Sequence, residues 1–397
     1  MRLANNYYIC KNYLTKMEKL FQFSTSRINS VNIRFKRYLR TKINWENRLI
    51  AITGARGIGK TTLLLQYIKE NLTDTPDEVI YVNLDDLYFS KNTIIDFAGE
   101  FVKRGGEYFF LDEVHKYRNW SQEIKNIYDY FPELKIVITG SSALDIYKGK
   151  VDLSRRVILY KMNGLSFREF IELKYDQSFP VLSLEEILKN PSESIQNILQ
   201  KIKPVKLFEE YLRLGYYPFF IEGESDFYIK LKQVVNHVLD SDLPSSERID
   251  FNAVHNLRKL ISILAEIVPY KPNILKLSKQ VGISRETLVR YLYLLERADL
   301  LMLLQTSTFG ISKMNKPEKV YLNNANLLYT LANNQVNMGS VRETFFYNQL
   351  QVDHHVVYST KGDFIVDKIY TFEIGGKNKT QKQVAGMDNA FIAVDNN

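Results

Sequence analysis

The sequence predicts an α/β protein: a parallel sheet around a phosphate-binding loop, then mainly helical segments and a smaller α/β tail. Three observations carry this. The glycine-rich stretch "TGARGIGKTTLL", Thr53 to Leu64, joins an apolar run to an amphipathic one. Strand-like apolar runs alternate with helical patterns as far as Met162, as in a parallel sheet covered by helices. One of those runs ends in two adjacent acids, Asp112 and Glu113. At 397 residues the chain exceeds the size at which one core keeps growing, so more than one domain is expected.

The first strand is "RLIAITG", Arg48 to Gly54, apolar and β-branched as a buried strand is. Behind the loop, "KTTLLLQYIKENL" carries Leu63, Leu64, Tyr67 and Ile68 at helical spacing. Gly54, Gly59, Lys60 and Thr61 thus fall in the GxxxxGK[ST] pattern at a strand–loop–helix junction, the context that gives this motif its meaning. Glycines let backbone N–H groups converge on phosphate oxygens, and the helix N-terminus adds its positive dipole. The loop Gly54, Ala55, Arg56, Gly57, Ile58, Gly59, Lys60, Thr61 and Thr62 is the expected cradle for ATP. Lys60 would reach the β- and γ-phosphates, and the Thr61 hydroxyl would ligate Mg²⁺.

Further strands are expected at "EVIYVNL" (Glu78 to Leu84), "EYFFLDE" (Glu107 to Glu113), "KIVITGSS" (Lys135 to Ser142) and "RVILYKM" (Arg156 to Met162). A buried strand that ends in two acids delivers them to the carboxyl edge of the sheet, where such sheets bind ligands. Asp112 is expected in the Mg²⁺ shell, with Glu113 orienting and deprotonating the attacking water. Without a P-loop before it, the same pair would read as a solvated strand end. Ser141 or Ser142 would stand beside the γ-phosphate as a hydroxyl sensor. Arg155 and Arg156, just before the fifth strand, read equally as a solvated turn or a functional basic pair.

The P-loop, "LDE", "TGSS" and an arginine before the fifth strand resemble the AAA+ ATPases. More narrowly, "GARGIGKTTLLLQ", "FFLDEVHKY", "TGSSALDIYKG" and "LSFREF" are similar to a widespread group of bacterial and archaeal AAA+ ATPases. Members of that group carry a winged helix and an endonuclease-like module behind the ATPase, and the resemblance runs over nearly the whole chain from about Met17. It implies an arginine finger at Arg155 or Arg156 that completes a neighbour's site in a homo-oligomer, although some relatives work as monomers. His115 fits the group's pattern, either as a polar contact or with a catalytic part. Relatives begin near "MEKLF", which makes Met17 a candidate start. The expected division is an N-terminal extension over 1–30, an AAA+ P-loop domain over 31–165 and a helical lid over 166–251. A winged helix over 252–310 and a degenerate endonuclease-like module over 311–397 complete it.

In the helical region, "SFREFIEL" offers Ser166 as N-cap and Glu169 three residues on, a capping-box arrangement. "LRLGYYPFFIEG" resembles the group's Gly-Tyr-Pro stretch, with Arg213 as a surface residue or a distant phosphate contact. "LKLSKQVGISRETLVRYLYLLERADLL", Leu275 to Leu301, reads as helix, turn at Gly282-Ile283-Ser284, and second helix with Leu288, Tyr291, Leu292 and Leu295 inward. The strand-like "LLMLLQ" after it suggests a wing. Arg285 and Arg290 fall on the outward side, where a basic excess favours duplex DNA through its phosphates; such folds also serve as lids or protein-binding modules.

The tail resembles the restriction-endonuclease-like module of the same group. Active relatives of that fold hold Mg²⁺ with a helix glutamate, a strand aspartate and a Glu-x-Lys pair, and Glu343, Asp363 and Glu373 match the three carboxylates. The lysine position is Gly375. Lys377 keeps the same parity but could serve only if Gly375 and Gly376 fold it back, so the module is expected to cut nothing.

A net charge of +8 permits nucleic-acid contact without demanding it. No apolar run approaches the length of a membrane span, and Leu300 to Leu304 is among the longest. The lone Cys10 excludes an internal disulfide, and no signal-peptide pattern opens the chain, so a cytoplasmic location without membrane contact is expected. The function expected is an ATP-binding and ATP-hydrolysing protein associated with DNA. Its rivals are a nucleotide switch acting on a protein partner and an active ATP-dependent nuclease.

Overall fold

The computed structural model describes residues 17–141, 153, 155–189, 192–246, 249–306, 316–332, 336–377, 379–380 and 384–394. Two compact units divide the chain, Met1–Met162 and Asn163–Asn397.

The first unit opens with helix α1 over 17–30 and a short α2, Leu39–Lys42. There follow β1 (Leu49–Gly54), α3 (Lys60–Asn71), β2 (Val79–Asn83), α4 (Ile94–Lys103), β3 (Tyr108–Asp112), α5 (Trp120–Tyr130), β4 (Lys135–Ser141) and β5 (Ile158–Lys161). All five strands are parallel, in the order β2-β3-β4-β1-β5. β1 lies fourth in this order, between β4 and β5, so the loop that leaves it opens where connections diverge to either side. That is where open parallel sheets bind ligands. Register then lines up the strand ends: Gly54 opposite Ser141, and Asn83 opposite Asp112. Every residue of β1 is buried, which explains its unbroken apolar run.

The core on one face is aromatic, with the rings of Phe97 and Phe101 stacked on Phe109. Met17 and Leu20 of α1 belong to this core, and Ser24 Oγ accepts the Tyr81 N–H at 3.0 Å. Met17, Leu20 and Ser24 thus tie α1 into the packing around the sheet.

The second unit begins with α6 (Phe167–Tyr175), whose Ser166–Glu169 capping box forms as the sequence predicts. Then come α7 (Leu184–Leu188), α8 (Ser192–Lys201), α9 (Pro204–Glu210), a π-helical turn over Tyr211–Gly215, α10 (Phe227–His237), α11 (Leu243–Ser246) and α12 (Phe251–Ile267). Asn326 bonds the π-helical turn: its Nδ2 donates to the carbonyls of Tyr211 and Leu212, and its Oδ1 accepts the Tyr216 N–H at 2.8 Å.

α13 (Ile274–Val281) and α14 (Arg285–Arg297) are separated by a short turn, with Ser284 accepting the Thr287 N–H as N-cap of the second. Leu288, Tyr291, Leu292 and Leu295 are buried. β6 (Leu301–Leu304) pairs antiparallel with β7 (Lys319–Leu322). After α15 (Ala325–Leu331) and α16 (Met338–Leu350), a four-stranded sheet forms from β8 (Val356–Tyr358), β9 (Phe364–Val366), β10 (Tyr370–Gly375) and β11 (Ala390–Val394). Its order is β11-β10-β9-β8, antiparallel except for the β10–β11 pair.

Candidate functional site

The loop between β1 and α3 is a cradle by backbone conformation. Gly57 and Gly59 hold φ of 83° and 97°, a region that side-chain-bearing residues avoid. Gly54 packs so closely on the Met162 carbonyl that a Cβ there would collide with it. Arg37, buried and far outside the motif, donates to the Ile58 carbonyl at 2.6 Å and ties down the loop's outer arm. Lys60 folds back over the cradle and donates to the carbonyls of Gly54 (2.9 Å) and Ala55 (3.0 Å).

Asp112 is the hub beside it. Its Oδ2 accepts the Thr61 hydroxyl at 2.7 Å and the Tyr81 hydroxyl at 2.8 Å, while Oδ1 accepts Thr139 Oγ1. The carboxylate is 1% exposed, yet its partners among the described residues are hydroxyls and bring no positive charge. Burial, and then the adjacent carboxylate, push the Tyr81 phenol far above its ordinary pKa, so it stays a donor. Thr61 and Asp112, expected as Mg²⁺ partners, thus lie in direct contact.

Glu113 adopts left-handed backbone, φ 55°, and its N–H donates to Thr139 Oγ1 at 3.1 Å. Its Oε2 is 3.3 Å from Nε2 of the buried His115, whose Nδ1 accepts the Ser141 N–H at 3.3 Å. His115 therefore links Glu113 to the end of β4. Ser141 Oγ is buried there with no hydrogen-bond partner among the described residues. A buried hydroxyl without a partner is costly.

Residues 46–171 match the model of a family described as an AAA domain. This stretch of the chain is AAA-like. Residues 205–337 match a second family, described as a domain of unknown function. An uncharacterized protein of Methanocaldococcus jannaschii is 28% identical over 289 residues, which cover 70% of this chain and 61% of that protein. The chain thus spans less than two thirds of that relative's length. Among solved structures, a signal transduction ATPase with a tetratricopeptide repeat sensor from Pyrococcus horikoshii shares 15% identity at a TM-score of 0.30, over 81% of this chain and 45% of its own. AMPPCP-bound DnaA from Aquifex aeolicus shares 19% at a TM-score of 0.27, over 63% and 82%. These scores describe a loose likeness. The family match and the five-stranded parallel sheet support an AAA-type nucleotide-binding region with ATPase-type chemistry.

Of the remaining AAA-region candidates, Ser142 lies outside the described residues. Arg155 is exposed, whereas Arg156 makes two bonds to Asp129, Nε to Oδ1 at 3.1 Å and Nη2 to Oδ2 at 3.3 Å. In the second unit Arg285 and Arg290 are exposed on α14, as are Lys271, Lys276 and Lys279 nearby in sequence. Arg258, by contrast, is engaged by Asn236 and Asp240. Arg213 sits 5.9 Å from the centre of the Tyr329 ring. No described helix is long and apolar enough to cross a membrane.

Glu343, on α16, and Asp363, just before β9, are brought together by a residue the sequence reading passed over. Lys319 Nζ lies 3.1 Å from Glu343 Oε2 and 3.2 Å from Asp363 Oδ1. Glu373, on β10, is paired with Lys379. The lysine that folds back past Gly375 and Gly376 is therefore Lys379; Lys377, which strand parity favoured, is exposed. Arg37, Tyr81, Thr139, Lys319 and Lys379 are the contributors that motif reading missed. The signal for Lys319 was faint: Lys319 and Tyr321 alternate on one face of a strand.

Proposed function

We propose that the chain is an ATP-hydrolysing AAA+ protein whose helix–turn–helix contacts duplex DNA and whose nuclease-like tail does not cut. The observation that carries the first part is the Asp112 hub: a buried carboxylate held by neutral donors, in contact with the P-loop threonine. A buried anion so held keeps its charge available for a cation. Thr61 and Asp112 would hold Mg²⁺, which would offset the charge of the β- and γ-phosphates. Lys60 would exchange the Gly54 and Ala55 carbonyls for phosphate oxygens. Glu113 is the general base for water, positioned by His115, and Ser141 Oγ bonds the terminal phosphate. Arg155, exposed while Arg156 is bound to Asp129, is the better placed of the two to enter a second copy of the chain.

The DNA reading is supported by the exposed Arg285 and Arg290 on a capped helix that presents its apolar side inward. A protein partner on the same surface is the alternative outcome of the binding test below. The deciding experiment is ATP binding and turnover by Glu113→Gln. Binding should persist while turnover falls at least ~10²-fold, the usual cost of losing a catalytic base. Turnover equal to wild type would end the assignment.

A further inference from the structure

The nuclease likeness of the tail implies a divalent metal among Glu343, Asp363 and Glu373, and the residues present do not fit one. The space between the first two carboxylates is taken. Lys319 Nζ bonds Glu343 Oε2 at 3.1 Å and Asp363 Oδ1 at 3.2 Å, with side-chain exposures of 15%, 19% and 16% for the three residues. Two residues on, and so on the same face of β7, Tyr321 donates its hydroxyl to Glu343 Oε2 at 2.8 Å. The second oxygen of Asp363 accepts the Ile374 N–H at 2.9 Å. The carboxylates are held in place by these bonds, with an ammonium between them.

The third carboxylate is also matched. Glu373 is 2% exposed and ion-paired with Lys379, whose N–H turns back to the Gly376 carbonyl at 2.9 Å. The Lys379 side chain lies against Gly375, where any Cβ would collide with it. Gly375 is thus more than a missing lysine: it is the gap through which another lysine reaches the glutamate.

The two occupants compete for the same carboxylate oxygens, which Lys319 already bonds. A divalent ion bonded to Glu343 and Asp363 would lie a few ångströms from Nζ, and charges of like sign at that distance repel strongly in a partly buried site.

We propose that Lys319 is the resident cation of this site: its ammonium stands in place of the divalent metal and makes the cluster a closed, metal-free clasp. The inference rests on reading the tail as nuclease-like, and it explains why a site with three matching carboxylates would be inert.

The test is Mn²⁺ binding by calorimetry to the full-length, nucleotide-free chain. Wild type is compared with Asp363→Asn, Lys319→Met and Lys319→Met/Asp363→Asn. Asp363→Asn should leave wild-type binding unchanged. Lys319→Met should gain one site, tighter by on the order of 10²-fold or more than wild type offers there, and the added Asp363→Asn should remove it. A wild-type site that Asp363→Asn abolishes overturns the inference, as does a folded Lys319→Met chain with no gained site. If Lys319→Met does not fold, wild-type melting decides: no Mn²⁺-induced shift supports the inference, and a shift lost in Asp363→Asn overturns it. Plasmid cleavage in the same samples separates the two readings. Wild-type Mn²⁺ binding without cleavage removes only the resident cation, whereas cleavage that Asp363→Asn abolishes removes the non-cutting reading as well.

Discussion

The chain holds two acidic sites with lysines beside them, one in each unit, and they are wired oppositely. In the AAA-like unit, Asp112 is surrounded by hydroxyls while Lys60 rests on backbone carbonyls. In the tail, lysine ammoniums sit directly on the carboxylates. The chemical groups are alike; the pairing differs. Neutral donors orient a buried carboxylate without setting an opposite charge on it, as the proposed Mg²⁺ and phosphate site requires. Ammonium partners cancel the charge, so the second is satisfied by its own chain. The presence of the expected carboxylates is therefore a poor guide to activity until their partners are known.

The largest effect that would sharpen this contrast is at the open site. Lys60→Ala should abolish ATP binding in a fluorescent-nucleotide titration, because it removes the ammonium that rests over the cradle. Unaltered binding would show that the cradle is not the nucleotide site. At the closed site the effect should fall on stability instead. Lys319→Met leaves two carboxylates without their cation, and urea unfolding should show a loss below the roughly 3–5 kcal/mol of breaking a fully buried pair, since these groups retain some solvent. No measurable loss would mean the clasp is not structural.

Next in size is His115→Ala. Turnover should drop roughly 10- to 100-fold with nucleotide affinity kept, as when a catalytic group is displaced by about an ångström. A fall in affinity with unchanged turnover at saturation would make His115 a structural contact instead. The smallest effect concerns the basic face of α14. Each of Arg285→Ala and Arg290→Ala should reduce the log–log salt slope of duplex DNA binding by about 0.9, one phosphate contact apiece. If neither changes binding, or no DNA binding is found at low salt, that face belongs to a protein partner.

How far the two sites were legible follows from how each is built. The P-loop, the "LDE" strand end and the two helices flanking Gly282 are contiguous patterns, and their strands and helices fall where local periodicity puts them. The groups that decide charge come from elsewhere in the chain. Tyr81 and Thr139 reach Asp112 from neighbouring strands, and Arg37 grips the loop from 21 residues away. Lys319 lies 24 residues before Glu343 and 44 before Asp363, on a strand with no motif of its own. Local periodicity announces which face a residue occupies, but not which distant side chain it will meet there. The Lys379 fold-back was beyond parity reasoning for a related reason: alternation holds only while the strand lasts, and β10 ends at Gly375.

The Asn326 side chain carries a consequence for how the second unit can be dissected. Its bond to the Tyr216 amide closes a loop of 110 residues, and its bonds to Tyr211 and Leu212 join α15 to the same turn. Loop-closure entropy grows only with the logarithm of loop length, so the long span in between costs little once the ends have met. α13 and α14 lie wholly inside that span. A fragment cut between Tyr216 and Asn326 would strand the carbonyls of the widened turn at one end and a buried amide at the other. The turn and α15 should accordingly melt together, and the helices between them are best carried into any binding assay with both of these distant ends attached.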